Sequence, residues 1–161
     1  MSRIACLFRA AALSAGVATV LTATPSLAQS RRDVTVTIDH VKALDLVDWG
    51  VAGQADFFAR VTIDGETFVT KPARGQNDVR PNWVFTKRVR ASTRVPVKVE
   101  IFDKDVFKPD ERVDINRVDR KRDLDFTINT FSCRVGGFSD VYRCRQPITR
   151  GGQERKRAEI T

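Results

Sequence analysis

VPVKVEIFDKDVFKPDERVDIN, residues 95–116, is the stretch on which the fold turns. Val95, Val97, Val99 and Ile101 alternate with Lys98 and Glu100, and a period of two over seven residues is the mark of a half-buried strand. The strand runs into Asp103 and Asp105. Two residues apart at a strand end, their carboxylates leave on the same side. Pro109 helps to turn the following loop, and Asp110 and Glu111 bring back two more acids. Carboxylates that converge repel one another unless something positive sits between them. A hard divalent cation such as calcium, which takes six to eight oxygen ligands, answers that need. The competing reading is a solvated acidic loop neutralised by Lys104 and Lys108.

Working outward, Val34, Val36 and Ile38 alternate with polar residues and predict a first strand. Residues 43–55 break the pattern with two glycines and the acids Asp45 and Asp48. Asp56 then opens a strand whose Phe57, Ala59, Val61 and Ile63 share a face. Asp64-Gly65 is a hairpin signal, and Glu66 to Thr70 is the returning arm. Lys71 to Pro81 is a loop. Asn82 to Arg90 is a strand with Trp83 and Phe85 toward the core. Val118 to Asp123 is a charged connection, and Leu124, Phe126 and Ile128 begin another strand. Phe131–Val135 and Val141–Arg145 predict a hairpin around Gly136-Gly137. About eight short strands and no amphipathic helix predict an all-β, antiparallel β-sandwich.

The ends of the chain are read separately. Arg3 and Arg9, the apolar run from Ala10 to Ala23 and the small residues Ser26 and Ala28 make residues 1–28 a secretory signal peptide of bacterial style. A periplasmic or secreted product is expected. Cys6 goes with the leader, and the remaining pair, Cys133 and Cys144, is expected to form a disulfide in an oxidising compartment. Residues 29–148 form the sandwich domain. Residues 149–161, with two glycines and no apolar face, predict a disordered basic tail. The net charge of +8 includes two leader arginines and no leader acid, so the exported part carries 8 − 2 = +6. That balance favours anionic lipid headgroups or glycans over nucleic acid, which an exported chain does not meet. Lys87, Arg88 and Arg90, with Arg117, Arg120, Lys121 and Arg122, are the candidate basic patch.

Three motifs, in order, carry a family resemblance. Asp56-Phe57-Phe58-Ala59-Arg60-Val61 resembles the Asp-Pro-Tyr-Val segment that opens a strand in C2 domains. Arg80-Pro81-Asn82-Trp83-Val84-Phe85 resembles their Asn-Pro-x-Trp segment, and Val99 to Glu111 is similar to their Asp-x-Asp loop closed by an acidic pair. Together they cover roughly residues 33–130. The resemblance implies an eight-stranded antiparallel sandwich whose loops at one end bind calcium and dock on phospholipid membranes. Carried over by position, Asp56, Asp103 and Asp105 match ligands. Asp48 is the first-loop ligand, with Asp45 the alternative because this loop is about two residues longer than usual. Asp110 or Glu111 supplies the last. Phe57 departs from the family proline and Arg80 from its asparagine. Trp49 and Val51 beside the first loop, and Val106 and Phe107 within the second, suit a membrane interface; the competing reading folds Trp49 and Phe107 back over the core edge.

Catalysis finds little support. His40 is the single histidine, there is no nucleophile elbow, phosphate-cradling glycine loop or zinc spacing, and a paired Cys133 and Cys144 leave no thiol for attack. The expectation is a binding module: calcium-dependent docking on anionic phospholipid or envelope surfaces, or else a metal-independent periplasmic domain that meets a protein or glycan through its basic face.

Overall fold

The alternation of apolar residues becomes strand after strand. The protein, a computed structural model, is described over residues 30–45, 54–118 and 120–161. The expected signal peptide and three expected site residues, Asp48, Trp49 and Val51, lie outside these. Thirteen strand segments follow in the described residues. They are β1 (Arg31–Ile38), β2 (Val41–Ala43), β3 (Phe57–Ile63), β4 (Glu66–Val69), β5 (Asp78–Val79), β6 (Trp83–Arg90) and β7 (Val95–Asp103). The rest are β8 (Glu111–Val113), β9 (Leu124–Asn129), β10 (Arg134–Gly136), β11 (Tyr142–Arg143), β12 (Arg150–Gly151) and β13 (Ala158–Ile160). The fold is an all-β sandwich as expected, cut into shorter pieces. Asp39-His40, for example, separates β1 from β2.

One large sheet runs β11-β10-β9-β7-β3-β4, with β8 added beside β7. The other layer is made of the β1-β6 pair and a four-stranded sheet, β12-β13-β2-β5. Every ladder between these strands is antiparallel. β7 is central: it pairs with β3 from Ile63↔Val97 to Phe57↔Asp103, with β9 along one half and with β8 at its end. Its inward residues Val95, Val97, Val99 and Ile101 meet Phe57, Val61 and Ile63 of β3 and, across the sandwich, Val34, Ile38, Phe85 and Val89. Fully burying one such side chain contributes roughly 1.5–3 kcal/mol. The Asp64-Gly65 turn has φ of 47° and 82°, both positive, as a two-residue hairpin with the strands' own twist requires.

The outward face of β7 is less exposed than alternation predicts. Phe102 stacks on Phe58 at 5.2 Å between centroids, with the Arg60 and Arg112 guanidinium carbons 4.6 and 5.6 Å from the Phe102 centroid. Glu100, only 5% exposed, is ion-paired with Arg112 at 2.6 Å. This external cluster of rings and charges covers the half of the strand that leads to the acidic loop.

The tail departs from expectation. Residues 149–161 hold β12 and β13 rather than a disordered segment, because Ala158 and Ile160 alternate with Glu159 and bury themselves beside β2. Three residues of alternation are too few to stand out in a basic, glycine-containing segment. They need β2 to become a strand.

Candidate functional site

Antiparallel pairing of β3 with β7 sets Phe57 opposite Asp103, and pairing of β7 with β8 sets Glu111 opposite the same residue. Residues far apart in sequence thus reach one end of the sandwich. The Asp56 N–H donates to Asp103 Oδ1 at 2.7 Å, and the Lys104 N–H donates to the Asp56 carbonyl at 3.0 Å. Asp103 is therefore a buried brace between the strands, 2% exposed. The other carboxylate, Asp56, accepts from the Gly75 N–H at 2.6 Å and ties the 71–77 loop to the same end.

Three lysines meet the remaining acids. Lys104 pairs with Asp110 at 2.9 Å. Lys108 lies between Asp105 at 3.4 Å and Glu111 at 3.3 Å. Lys156, from the segment between β12 and β13, also contacts Glu111. Asp105 Oδ2 is buried and has no hydrogen-bond partner, and the Asp105 side chain is only 9% exposed. A bare buried carboxylate oxygen is costly unless a cation satisfies it, so the donor chemistry at Asp105 fits a hard cation such as calcium. The described carboxylates do not close around one point, however: no group of three that could hold a metal occurs among the described residues. Asp45, the alternative first-loop ligand, is held elsewhere. Its two oxygens accept from Arg157 N at 2.6 Å and Nε at 3.2 Å.

Between the lysines the loop turns outward. Val106 is 83% exposed and Phe107 100% exposed, so Phe107 does not fold back over the core edge. An aromatic and a β-branched residue stand free at the tip of a charged loop.

The basic residues divide by strand periodicity. Arg88 and Arg90 lie on the exposed face of β6. Lys87 lies on the other, where it donates to the Asp64 carbonyl at 2.8 Å and approaches Glu66 at 3.6 Å. Arg122 pairs with Glu154 at 3.6 Å and donates to the Arg112 carbonyl at 3.2 Å, while the Arg120 N–H donates to Glu154 Oε1 at 2.7 Å. Lys121 is exposed. The run is thus split between two sheet faces and a loop pinned by the C-terminal segment.

Cys133 and Cys144 form the expected disulfide, Sγ to Sγ 2.07 Å, across the β10–β11 hairpin. His40 Nε2 lies 2.7 Å from Asp78 Oδ1, and that hydrogen bond is the main cause holding the Asp78 carboxyl below the usual carboxylate range.

Sequence reasoning missed Asp114 and Lys156. Asp114 is fully buried, and its Oδ2 accepts from the N–H groups of Gln153 at 2.8 Å and Glu154 at 2.7 Å; its Oδ1 accepts from Asn116 N–H at 2.9 Å. It fixes the turn that delivers Lys156 to the acidic loop. Nothing in the one-dimensional pattern marks either residue, because their partners lie about 40 positions away.

A family profile, described as C2 domain, matches residues 34–128, from β1 through β9. No curated protein matches the chain in sequence. Among solved structures, human GIVD cytosolic phospholipase A2 is similar over 80% of this chain and 16% of that one, at 14% identity and a TM-score of 0.51. The chain spans about a sixth of the length of that phospholipase, and the likeness is one of fold. The first C2 domain of plant extended synaptotagmin 1 aligns over 80% of this chain and 91% of its own, at 14% identity and a TM-score of 0.47. The tandem C2 domains of extended synaptotagmin 2 align over 89% of this chain and 45% of theirs, at 14% identity and a TM-score of 0.49.

Proposed function

The chain belongs to the C2 domain family, and from that membership, together with the leader expected at residues 1–28, we propose that it is an exported, non-enzymatic module that docks on an anionic phospholipid or cell-envelope surface through the loop between β7 and β8. C2 domains commonly bind calcium and phospholipid membranes. The observation that carries the reading is the free tip: Val106 and Phe107, 83% and 100% exposed, flanked by Lys104 and Lys108. Valine and phenylalanine partition into the headgroup boundary, and lysines on either side meet anionic headgroups.

Calcium has a definite task in this reading. From Asp103 to Glu111 four carboxylates face two lysines, so the loop carries a net negative charge that an anionic surface repels. Calcium, when bound, supplies positive charge and open coordination positions for headgroup oxygens. Asp105 and Glu111 are the residues to hold it, with Asp103 behind them. Lys108 and Lys156 would give way.

A second reading is favoured by those same two lysines. Their ammonium groups already answer Asp105 and Glu111, which suits metal-independent docking on a protein or glycan through Arg88, Arg90 and Lys121.

Sedimentation with vesicles separates them. Phosphatidylserine-containing vesicles should carry the protein down in calcium, pure phosphatidylcholine vesicles should not, and the Val106→Ser/Phe107→Ser variant should stay in solution with an unchanged thermal midpoint. Equal binding by that variant overturns the role of the tip. Full binding in chelator, unaltered by Asp105→Asn/Glu111→Gln, removes calcium and leaves the second reading.

A further inference from the structure

A cavity of about 450 Å³ opens on the flank of the sandwich, and none of the acidic-loop residues lines it. Its origin is topological. Among the described residues β1 bonds only to β6, so no strand follows on its other edge. The core beneath that edge is left without a roof. Residues 35–39 form one side of the opening and residues 143–148 the other. Val99, Leu124, Phe126 and Ile128 form an apolar floor. The volume lies within the roughly 300–1,000 Å³ of small-molecule sites.

The far wall is braced. The Cys133–Cys144 disulfide ties β10 to β11. Phe138 packs on Phe126 at 5.5 Å and meets the Tyr142 ring edge-on at 5.7 Å. The Arg150 guanidinium sits over both the Phe138 and Tyr142 rings, at 4.9 and 5.2 Å. Such a wall holds its shape without an occupant, which lowers the ordering cost of binding.

Charge narrows the occupant. Arg143 and Arg145 both line the cavity, and neither guanidinium makes a hydrogen bond or ion pair among the described residues. Asp39 is the one acidic side chain in the lining, and it is exposed, as Arg143 and Arg145 are. The Thr161 oxygen beside it is taken by the N–H groups of Asp39 at 2.8 Å and His40 at 3.3 Å. Two arginines without an ion partner, at the exposed rim of an apolar floor, favour a ligand that is apolar along its length and anionic at one end. Guanidinium binds carboxylate through paired N–H donors. We propose that this cavity binds the anion of a single-chain fatty acid, its chain on the floor of β7 and β9 and its carboxylate against Arg143 and Arg145. A two-chain phospholipid needs more room than one small cavity gives. The proposal is independent of the docking loop and stands or falls without it.

The test is calorimetric titration of the purified protein with decanoate below its micellar concentration, alongside decanol as the neutral chain. One saturable site is expected for decanoate, with decanol weaker by at least tenfold. Arg143→Gln/Arg145→Gln should remove that preference, lowering decanoate affinity tenfold or more while decanol is little changed. Ile148→Trp, which places an indole in the cavity, should abolish both. Each variant is first shown to keep its thermal midpoint; if Ile148→Trp does not fold, the arginine pair still decides the matter. Non-saturating uptake, or decanoate affinity indifferent to the arginine substitutions, overturns the assignment. So does a lack of decanoate binding with capture of an extended peptide along β1, since the free edge would then be a strand-pairing site.

Discussion

Replacing Asp114 by alanine is expected to loosen the whole C-terminal segment. Its carboxylate is fully buried and accepts three backbone N–H groups, at 2.7, 2.8 and 2.9 Å. Each hydrogen bond to a charged acceptor contributes about 1.5–3 kcal/mol, so three set an upper bound of roughly 5–9 kcal/mol. Two effects reduce it. The buried charge carries its own desolvation cost, which the substitution removes. Water can also reach the freed N–H groups, which lie in part-buried turns. A net loss of about 3 kcal/mol is expected, since breaking a buried charged network sits at the upper end of single-substitution effects. With a urea m-value near 2 kcal/mol per molar, that lowers the unfolding midpoint by about 1.5 M. Asp114→Asn should fall between alanine and wild type. Its single oxygen can serve Gln153 and Glu154, but its amide then points a donor at the Asn116 N–H. A side chain at Gly152 would also overlap the Asp114 backbone, so Gly152→Ala should destabilise the same turn. The reasoning is refuted if Asp114→Ala costs less than about 1 kcal/mol, the low end for an unmade buried hydrogen bond, or if the asparagine variant is no better than alanine.

Three further outcomes are expected. Cys133→Ser/Cys144→Ser removes a cross-link of sequence separation 11 and should lower stability by just under ~3 kcal/mol, read as a matching drop in the urea midpoint. Gly137→Ala places a methyl 2.9 Å from the Phe126 Cα in a residue with φ of +109°, and should lower the thermal midpoint by several degrees; an unchanged midpoint would show that the turn relaxes freely. The third concerns pH. The hydrogen bond with Asp123 is the main cause that raises the Lys98 pKa, with attraction by Asp123 and Glu100 adding to it. Its contribution is therefore fully present below the ordinary lysine value of ~10.4 and lost as pH rises through the higher folded value. Lys98 is 39% exposed, so the effect should stay below about 1 kcal/mol. Lys98→Met should flatten the stability profile above pH ~10, and an unaltered alkaline slope would count against the pairing.

Much of the sandwich was legible because strands announce themselves by period two. β3, β6, β7 and β9 fall where alternation places them, and Asp64-Gly65 makes the turn its residues demand. The cysteine pair was legible from count, once Cys6 was set aside with the expected leader. The acidic residues of the second loop were also visible, and their arrival beside Asp56 follows from the β3–β7 ladder. Their neighbours Lys104 and Lys108 were visible too, and they pair with Asp110, Asp105 and Glu111; the distant partners were not visible. Lys156 and Arg157 sit in a segment whose composition suggests disorder, yet they engage Glu111 and Asp45. The positive charge is likewise divided, since Lys87 and Arg88 leave opposite faces of one strand.

By itself, then, the sequence determined the element type, the central strand, the hairpin turn and the cluster of acids at one loop, because each depends on neighbours a few residues away. Only the tertiary structure decided that Lys156 joins Lys104 and Lys108 at those acids, that the C-terminal segment folds, and that the edge of β1 stands open over an apolar floor. Those are properties of residues that approach each other across about 40 to more than 100 positions. Local alternation carries no record of such pairings, which arise only when the two sheets close on a shared core.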